Sequence, residues 1–217
     1  MRSKRSMAGF SLIELLFVIA ITVVIAAIAI MQIGPVLRTA RVNTAAAYVL
    51  NEIRHTRERA IDERRKYQIK FTSNVVPPFA TMQVFQGNTN AAGALIYTPE
   101  PNILSLPYDM RFLAPIAPKP AVPPDGICGG TTAIDLTQGA ACDLSTTITL
   151  NPDGSITDPG PAGLPPGPGG LSSGVIYLGR PGDRQATRAI SFFGATGRTK
   201  GWSMVQTGAA TWVWSSQ

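Results

Sequence analysis

Glu14 is the only charge between Phe10 and Ile33, inside a run made almost entirely of Leu, Ile, Val, Ala and Phe. A carboxylate in lipid costs about 2.5–3.5 kcal/mol at a helix centre, less near an end, and usually has a partner. On its C-terminal side no Lys or Arg stands within helical reach, the next cation being Arg38. Ser11-Leu12-Ile13-Glu14 also fits the S-x-x-E capping box, which places the carboxylate at the positive end of a new helix. Capping does not account for an acid inside an apolar segment. Its chemistry is charge pairing, with a cation supplied by another chain or by a newly made N-terminus.

The other reactive groups are few. Cys128 and Cys142 are the two cysteines. If the apolar run spans a membrane and the rest lies outside the cytoplasm, they read as a disulfide closing a short loop, worth roughly 3 kcal/mol. Two free thiols are the alternative. With His55 the only histidine, no tetrahedral zinc set exists and no metal is expected. His55 falls on an Arg-rich helix face and reads as a solvated side chain. Asp109, Asp125 and Asp135 sit in Pro/Gly-rich surroundings, where forming turns is their ordinary role. No HExxH, P-loop or dinucleotide fingerprint occurs. The expectation is a protein that is not an enzyme, with no cofactor and no small-molecule substrate.

These groups must be carried by a helix and then by strands. As a helix the run from Phe10 to Ile33 is about 36 Å long, enough to cross a bilayer core of about 30 Å with some tilt. Arg2, Lys4 and Arg5 precede it, which orients the N-terminus toward the cytoplasm. A secreted soluble binding domain is the rival, since Ala27-Ile28-Ala29 is an A-x-A sequence for signal peptidase. Gly34-Pro35 is expected to interrupt the helix. Beyond it Val42, Ala46, Val49, Ile53, Thr56 and Ala60 recur at helical spacing, one face of an amphipathic helix on which a sheet can pack. Arg54–Glu58, Arg59–Glu63 and Asp62–Lys66 are i,i+4 pairs, and the basic cluster here reads most simply as a solvated face.

Strands are predicted at Tyr67–Phe71, Met82–Phe85, Thr146–Leu150, Ser155–Thr157, Val175–Leu178, Arg188–Phe193 and Trp202–Val205, with weaker patterns at Ile103–Leu106 and Ala210–Trp214. Residues 87–126 read as an extended excursion, and PGPAGLPPGPGG at 159–170 as a flexible loop. A long helix followed by short, turn-linked strands gives an α+β class, the helix packed on an antiparallel β-sheet head. The segments are 1–9 as leader, 10–34 as membrane helix, 35–66 as head helix and 67–217 as β-rich head, with insertions at 87–143 and 159–170.

The net charge of +6 is unevenly spread. From Tyr67 onward the charges balance, yet Arg180, Arg184, Arg188, Arg198 and Lys200 cluster against one acid, Asp183. Such a cluster could contact phosphates with steep salt dependence. Turn chemistry around the glycines is the plainer reading.

A basic leader, then Gly9-Phe10-Ser11-Leu12-Ile13-Glu14, then a long apolar helix closely resembles the type IV prepilin N-terminus. The resemblance implies that an inner-membrane prepilin peptidase cuts between Gly9 and Phe10 and methylates the new Phe10 amine. It implies that Glu14 pairs with the Phe10 amine of a neighbouring subunit during assembly. The partners implied are that peptidase, other pilin or pseudopilin subunits and the bacterial inner membrane. The N-terminus would be cytoplasmic and the head periplasmic until the subunit joins a filament.

Farther along, the Arg57-Glu58-Arg59-Ala60-Ile61 helix end running into a strand, the Asp183-Arg184 turn and Gly194-Ala195-Thr196-Gly197-Arg198 look like minor pilins and pseudopilins of the GspH/FimT type. The likeness covers about 1–72 and 146–200. Some FimT-type minor pilins bind DNA through a G-R-x-R motif. Gly197-Arg198-Thr199-Lys200 resembles it, with lysine in place of the second arginine. That substitution keeps the charge and loses the planar fork.

Overall fold

The computed structural model describes residues 11–74, 76–107, 109–116, 123–125, 127, 133–138, 141–144, 146–157, 171–208 and 211–216. Its contacts divide the chain into two units, Met1–Arg38 and Thr39–Gln217.

Helix α1 is assigned over Leu12–Asp62. It is not interrupted at Gly34-Pro35 as the sequence suggests. A proline deletes one N–H from the hydrogen-bond ladder, and a helix this long keeps its other bonds on both sides. In the first unit no residue of the span Leu12–Ile30, with mean hydropathy 2.9, is buried within the single chain. In the second unit the helix is amphipathic. Val42, Ala45, Ala46, Val49, Ile53, Thr56 and Ala60 are all buried, so the face read from the spacing is the packed one. The helix closes with Arg64 at φ 53°, its N–H donating to the Ile61 carbonyl and that of Arg65 to the Ala60 carbonyl. This is a Schellman ending with arginine where glycine is usual.

The head carries two antiparallel sheets. The first has the order β3-β2-β1-β7-β8, from β1 (Tyr67–Ser73), β2 (Ala80–Thr89), β3 (Leu95–Ser105), β7 (Thr147–Leu150) and β8 (Ile156–Thr157). The second runs β12-β11-β10-β9-β5-β6, from β5 (Ile134–Gln138), β6 (Ala141–Leu144), β9 (Gly174–Arg180), β10 (Asp183–Phe192), β11 (Thr199–Gln206) and β12 (Trp212–Ser216). The short β4 (Arg111–Phe112) also pairs with β9.

Alternation explains the first sheet: Tyr67, Ile69 and Phe71 with Ala80, Met82 and Val84 turn inward together against α1. The second sheet is covered on both faces. Ile176, Leu178, Ile190 and Phe192 join the helix-facing core. Val175, Tyr177, Ala189, Trp202, Met204 and Trp214 form a separate cluster with Ile127 on the opposite face. A strand buried on both faces reads as a continuous apolar run, as Val175-Ile176-Tyr177-Leu178 does.

The excursion expected at 87–126 is in its first half a hairpin. Strands β2 and β3 pair from Thr81↔Ser105 to Thr89↔Leu95, around a turn in which the Asn90 side chain accepts from the N–H groups of Ala92 and Ala94. Strand β3 tolerates Pro99 and Pro101 because it lies at the sheet edge. The 159–170 loop lies outside the described residues.

Candidate functional site

The first turn of α1 places Glu14. Ser11 stands just before the helix and its carbonyl accepts the Leu15 N–H at 3.2 Å. The carboxylate therefore sits where the helix dipole favours negative charge. Glu14 is exposed and makes no ion pair among the described residues. The side chains around it are equally bare: Leu12, Ile13, Leu16 and Phe17 are each more than half exposed. Gly9 and Phe10 lie outside the described residues. So does Cys128, while Cys142 is placed only by its backbone in β6, opposite Thr137; the proposed disulfide falls outside what is described.

The five basic residues of 180–200 do not come together. Arg180 lies opposite Asp183 in the strand register at the β9–β10 turn, where Arg184 also sits. Arg198 in the β10–β11 turn and Lys200 at the start of β11 lie at the other end of the ten-residue β10, about 30 Å away at strand rise. Arg188 lies between, with 5% of its surface exposed. Its Nε donates to Asn43 Oδ1 at 2.9 Å, and its Nη1 to the Gln185 and Thr187 carbonyls at 2.8 and 2.9 Å. Burial holds this guanidinium below the ordinary arginine range, opposed only by the pull of Asp183. Arg188 thus drops out of any surface patch. Lys200 rests its Nζ 4.0 Å from the Trp202 ring centroid.

What the sequence separates, the fold joins. Arg198 shares a cleft of about 510 Å³ with Arg54 and Arg57 of the helix, and among the described residues Glu58 is the one acid lining it. Arg54 Nε donates to Thr199 Oγ1 at 2.9 Å. Arg57 Nε donates to the Gly154 carbonyl and its Nη2 to the Thr196 carbonyl, both at 2.9 Å. These arginines are staples between helix and strand turns, which corrects the solvated-face reading for Arg54 and Arg57. Their positions, one residue after the buried Ile53 and Thr56, flank the packed stripe, and that is the sequence signal that marks them.

A second cluster was not legible. Arg59 forms a two-pronged pair with Glu100, at 3.1 and 2.7 Å, and lies over the Tyr67 ring. The Tyr67 hydroxyl donates to Glu63 Oε2 at 2.6 Å. That hydrogen bond, ahead of the nearby Arg59, holds the Glu63 carboxyl below its usual range. Of the predicted i,i+4 pairs, Arg59–Glu63 forms, at 3.6 Å. His55 is exposed on the rim of a cleft with Glu52, Arg59 and Glu100.

The family model for a prokaryotic N-terminal methylation motif matches residues 4–30, the leader, the Gly9-Phe10 bond and the exposed apolar span. No curated protein and no solved structure matches the chain.

Proposed function

We propose that the chain, whose residues 4–30 match the prokaryotic N-terminal methylation motif, is a type IV prepilin-like protein and, within that class, a minor pilin or pseudopilin of the GspH/FimT type. The methylation motif implies processing by prepilin peptidase and assembly with other pilin subunits. In this reading the cut falls after Gly9, Phe10 is methylated and Glu14 neutralises the Phe10 amine of a neighbour. The subunit waits in the bacterial inner membrane with its head in the periplasm and then enters a type IV pilus or a type II secretion pseudopilus. Its work is assembly rather than catalysis.

One observation carries the reading: a helix whose first 19 residues, apolar but for Glu14 and Thr22, are all exposed in the single chain and within the methylation motif, while its later residues bury one face under two sheets. Water is the wrong solvent for the exposed part. Lipid before assembly and neighbouring helices after it are the environments that suit it. Mass spectrometry of the mature N-terminus tests this, with N-methylated Phe10 expected. A terminus near Ile30 would instead establish release by signal peptidase as a secreted soluble domain.

A second reading, DNA binding during natural transformation, is favoured by the cleft that unites Arg198 with Arg54 and Arg57. None of the three forms an ion pair among the described residues. Phosphate contacts there predict affinity that falls steeply with salt and drops in an Arg198→Ala, Lys200→Ala double variant. Indifference to both removes this reading.

A further inference from the structure

Arg188 is the feature that neither assembly nor the basic turns absorb. Three of its hydrogen bonds, from Nε and Nη1, fix the guanidinium on Asn43 of the helix and on two carbonyls of its own strand. No carboxylate pairs with it among the described residues. Its remaining nitrogen, Nη2, makes no hydrogen bond to any described residue, and the side chain lines a cleft of about 720 Å³. Thr39, Gln185 and Ser203 bring hydroxyls and an amide to its lining beside Met204 and Val205, and no acid lines it among the described residues.

A buried cation without an ion-pair partner is costly to keep; Asp183 acts on this one only at a distance, and the fold holds it beside an open cleft of mixed lining. We propose that the cleft is an anion site with Arg188 as its charge, and that its ligand is a carboxylate carried by a neighbouring protein subunit. A planar guanidinium edge suits a carboxylate's oxygens. A nucleic-acid backbone repeats its charge every few ångströms and demands several cations in line. Arg188 is a single recessed charge, and the arginines of the other cleft lie toward the far end of β10. The choice of a subunit as donor rests on the filament reading; the anion site itself does not.

The strand register supplies a decisive variant. Ser203 lies directly across from Arg188 on β11, so Ser203→Asp places a carboxylate where the incoming one would sit. The full chain in detergent micelles is titrated with the capped tripeptide Gly-Glu-Gly, its Gly-Gln-Gly counterpart, inorganic phosphate and a single-stranded oligonucleotide. The Arg188 Nε–H resonance and the melting temperature are followed. The glutamate peptide is expected to shift the resonance saturably and the glutamine peptide not to. Arg188→Met, which lacks that resonance, should weaken the peptide's effect on the melting temperature about tenfold or more. Ser203→Asp should weaken it as much while raising the melting temperature, a result that does not depend on how Arg188→Met folds. Equal responses to the two peptides, or undiminished binding by Ser203→Asp, overturn the site. A tighter response to phosphate or to the oligonucleotide overturns the carboxylate as its occupant. Methylated Phe10 in the same preparation tests the filament reading independently.

Discussion

Arg57 fills the space that a side chain at Gly197 would need: a β-carbon there would lie 2.3 Å from Arg57 Nε and 2.2 Å from the Gly154 carbonyl oxygen that Arg57 binds. Gly197 also has φ +62°. Gly197→Ala therefore meets left-handed backbone strain, a clash with backbone and loss of the staple together. It should destabilise the full chain by about 2–4 kcal/mol in urea melts. Arg198→Ala, next door but exposed, should change stability by roughly 0.5 kcal/mol or less. If both variants melt alike, the turn is not held by Arg57. The glycine of the Gly-Arg pair thus has a structural reason, separate from anything Arg198 touches.

The Arg59–Glu100 pair joins helix to edge strand by two parallel bonds with both side chains mostly buried. Glu100→Gln keeps the shape and removes the charge, so a loss of about 1–2 kcal/mol is expected. The neighbouring Glu63 adds a pH dependence. Its carboxyl is depressed in the folded chain, so the unfolded chain binds the extra proton first as pH falls. Its contribution is complete above the ordinary value of 4.5 and is lost as pH drops through the lower folded value. Glu63 is 40% exposed, so solvent limits this to roughly 0.5 kcal/mol. Tyr67→Phe removes the main cause, and a carboxyl NMR titration should find Glu63 moved back toward 4.5. An unchanged titration would show that the hydroxyl does not hold it.

The fold is legible in the sequence where a period repeats and illegible where partners are distant. Val42 through Ala60 could be assigned to one face because six positions agree with a single helical period. Glu14 stood out because charge is rare in its surroundings. Strand β3 was nearly invisible, since Pro99, Glu100 and Pro101 break the alternation and only an edge position permits them. Arg54, Arg57 and Arg188 looked like surface charge because their acceptors, Thr199, Gly154 and Asn43, lie about a hundred residues or more away in sequence. The basic cluster of 180–200 failed differently. Closeness along an extended strand is not closeness in space, and ten residues of β10 hold its ends apart.

Arg64 closes the helix in the left-handed region, at φ 53°, with both Schellman hydrogen bonds made. Its side chain is exposed, so replacing it removes strain without removing burial. The left-handed conformation costs a non-glycine residue about 1–2 kcal/mol, and glycine gives some of that back through a freer unfolded chain. Arg64→Gly should stabilise the chain by about 0.5–1 kcal/mol, and Arg64→Val should destabilise it. Reversed signs in denaturant melts would mean that Arg64 contributes something its conformation does not reveal.

Glu14 offers the sharpest division between anchoring and assembly. Its carboxylate is exposed beside bare leucine and isoleucine, without an ion-pair partner among the described residues. Insertion and cleavage depend on the leader and the apolar span, which Glu14→Gln and Glu14→Ala leave intact. Both variants should therefore be processed, with Phe10 methylated as in the parent. In the proposed assembly the charge is needed: with glutamine or alanine the neighbour's amine would stay unneutralised in an apolar filament core. Incorporation into sheared filaments should fall about tenfold or more, equivalent to ~1.4 kcal/mol. Because Glu14→Gln keeps size and hydrogen-bonding capacity, its failure isolates the charge as the cause. Normal incorporation of that variant, with processing intact, would show that Glu14 acts as a helix cap and not as a docking charge.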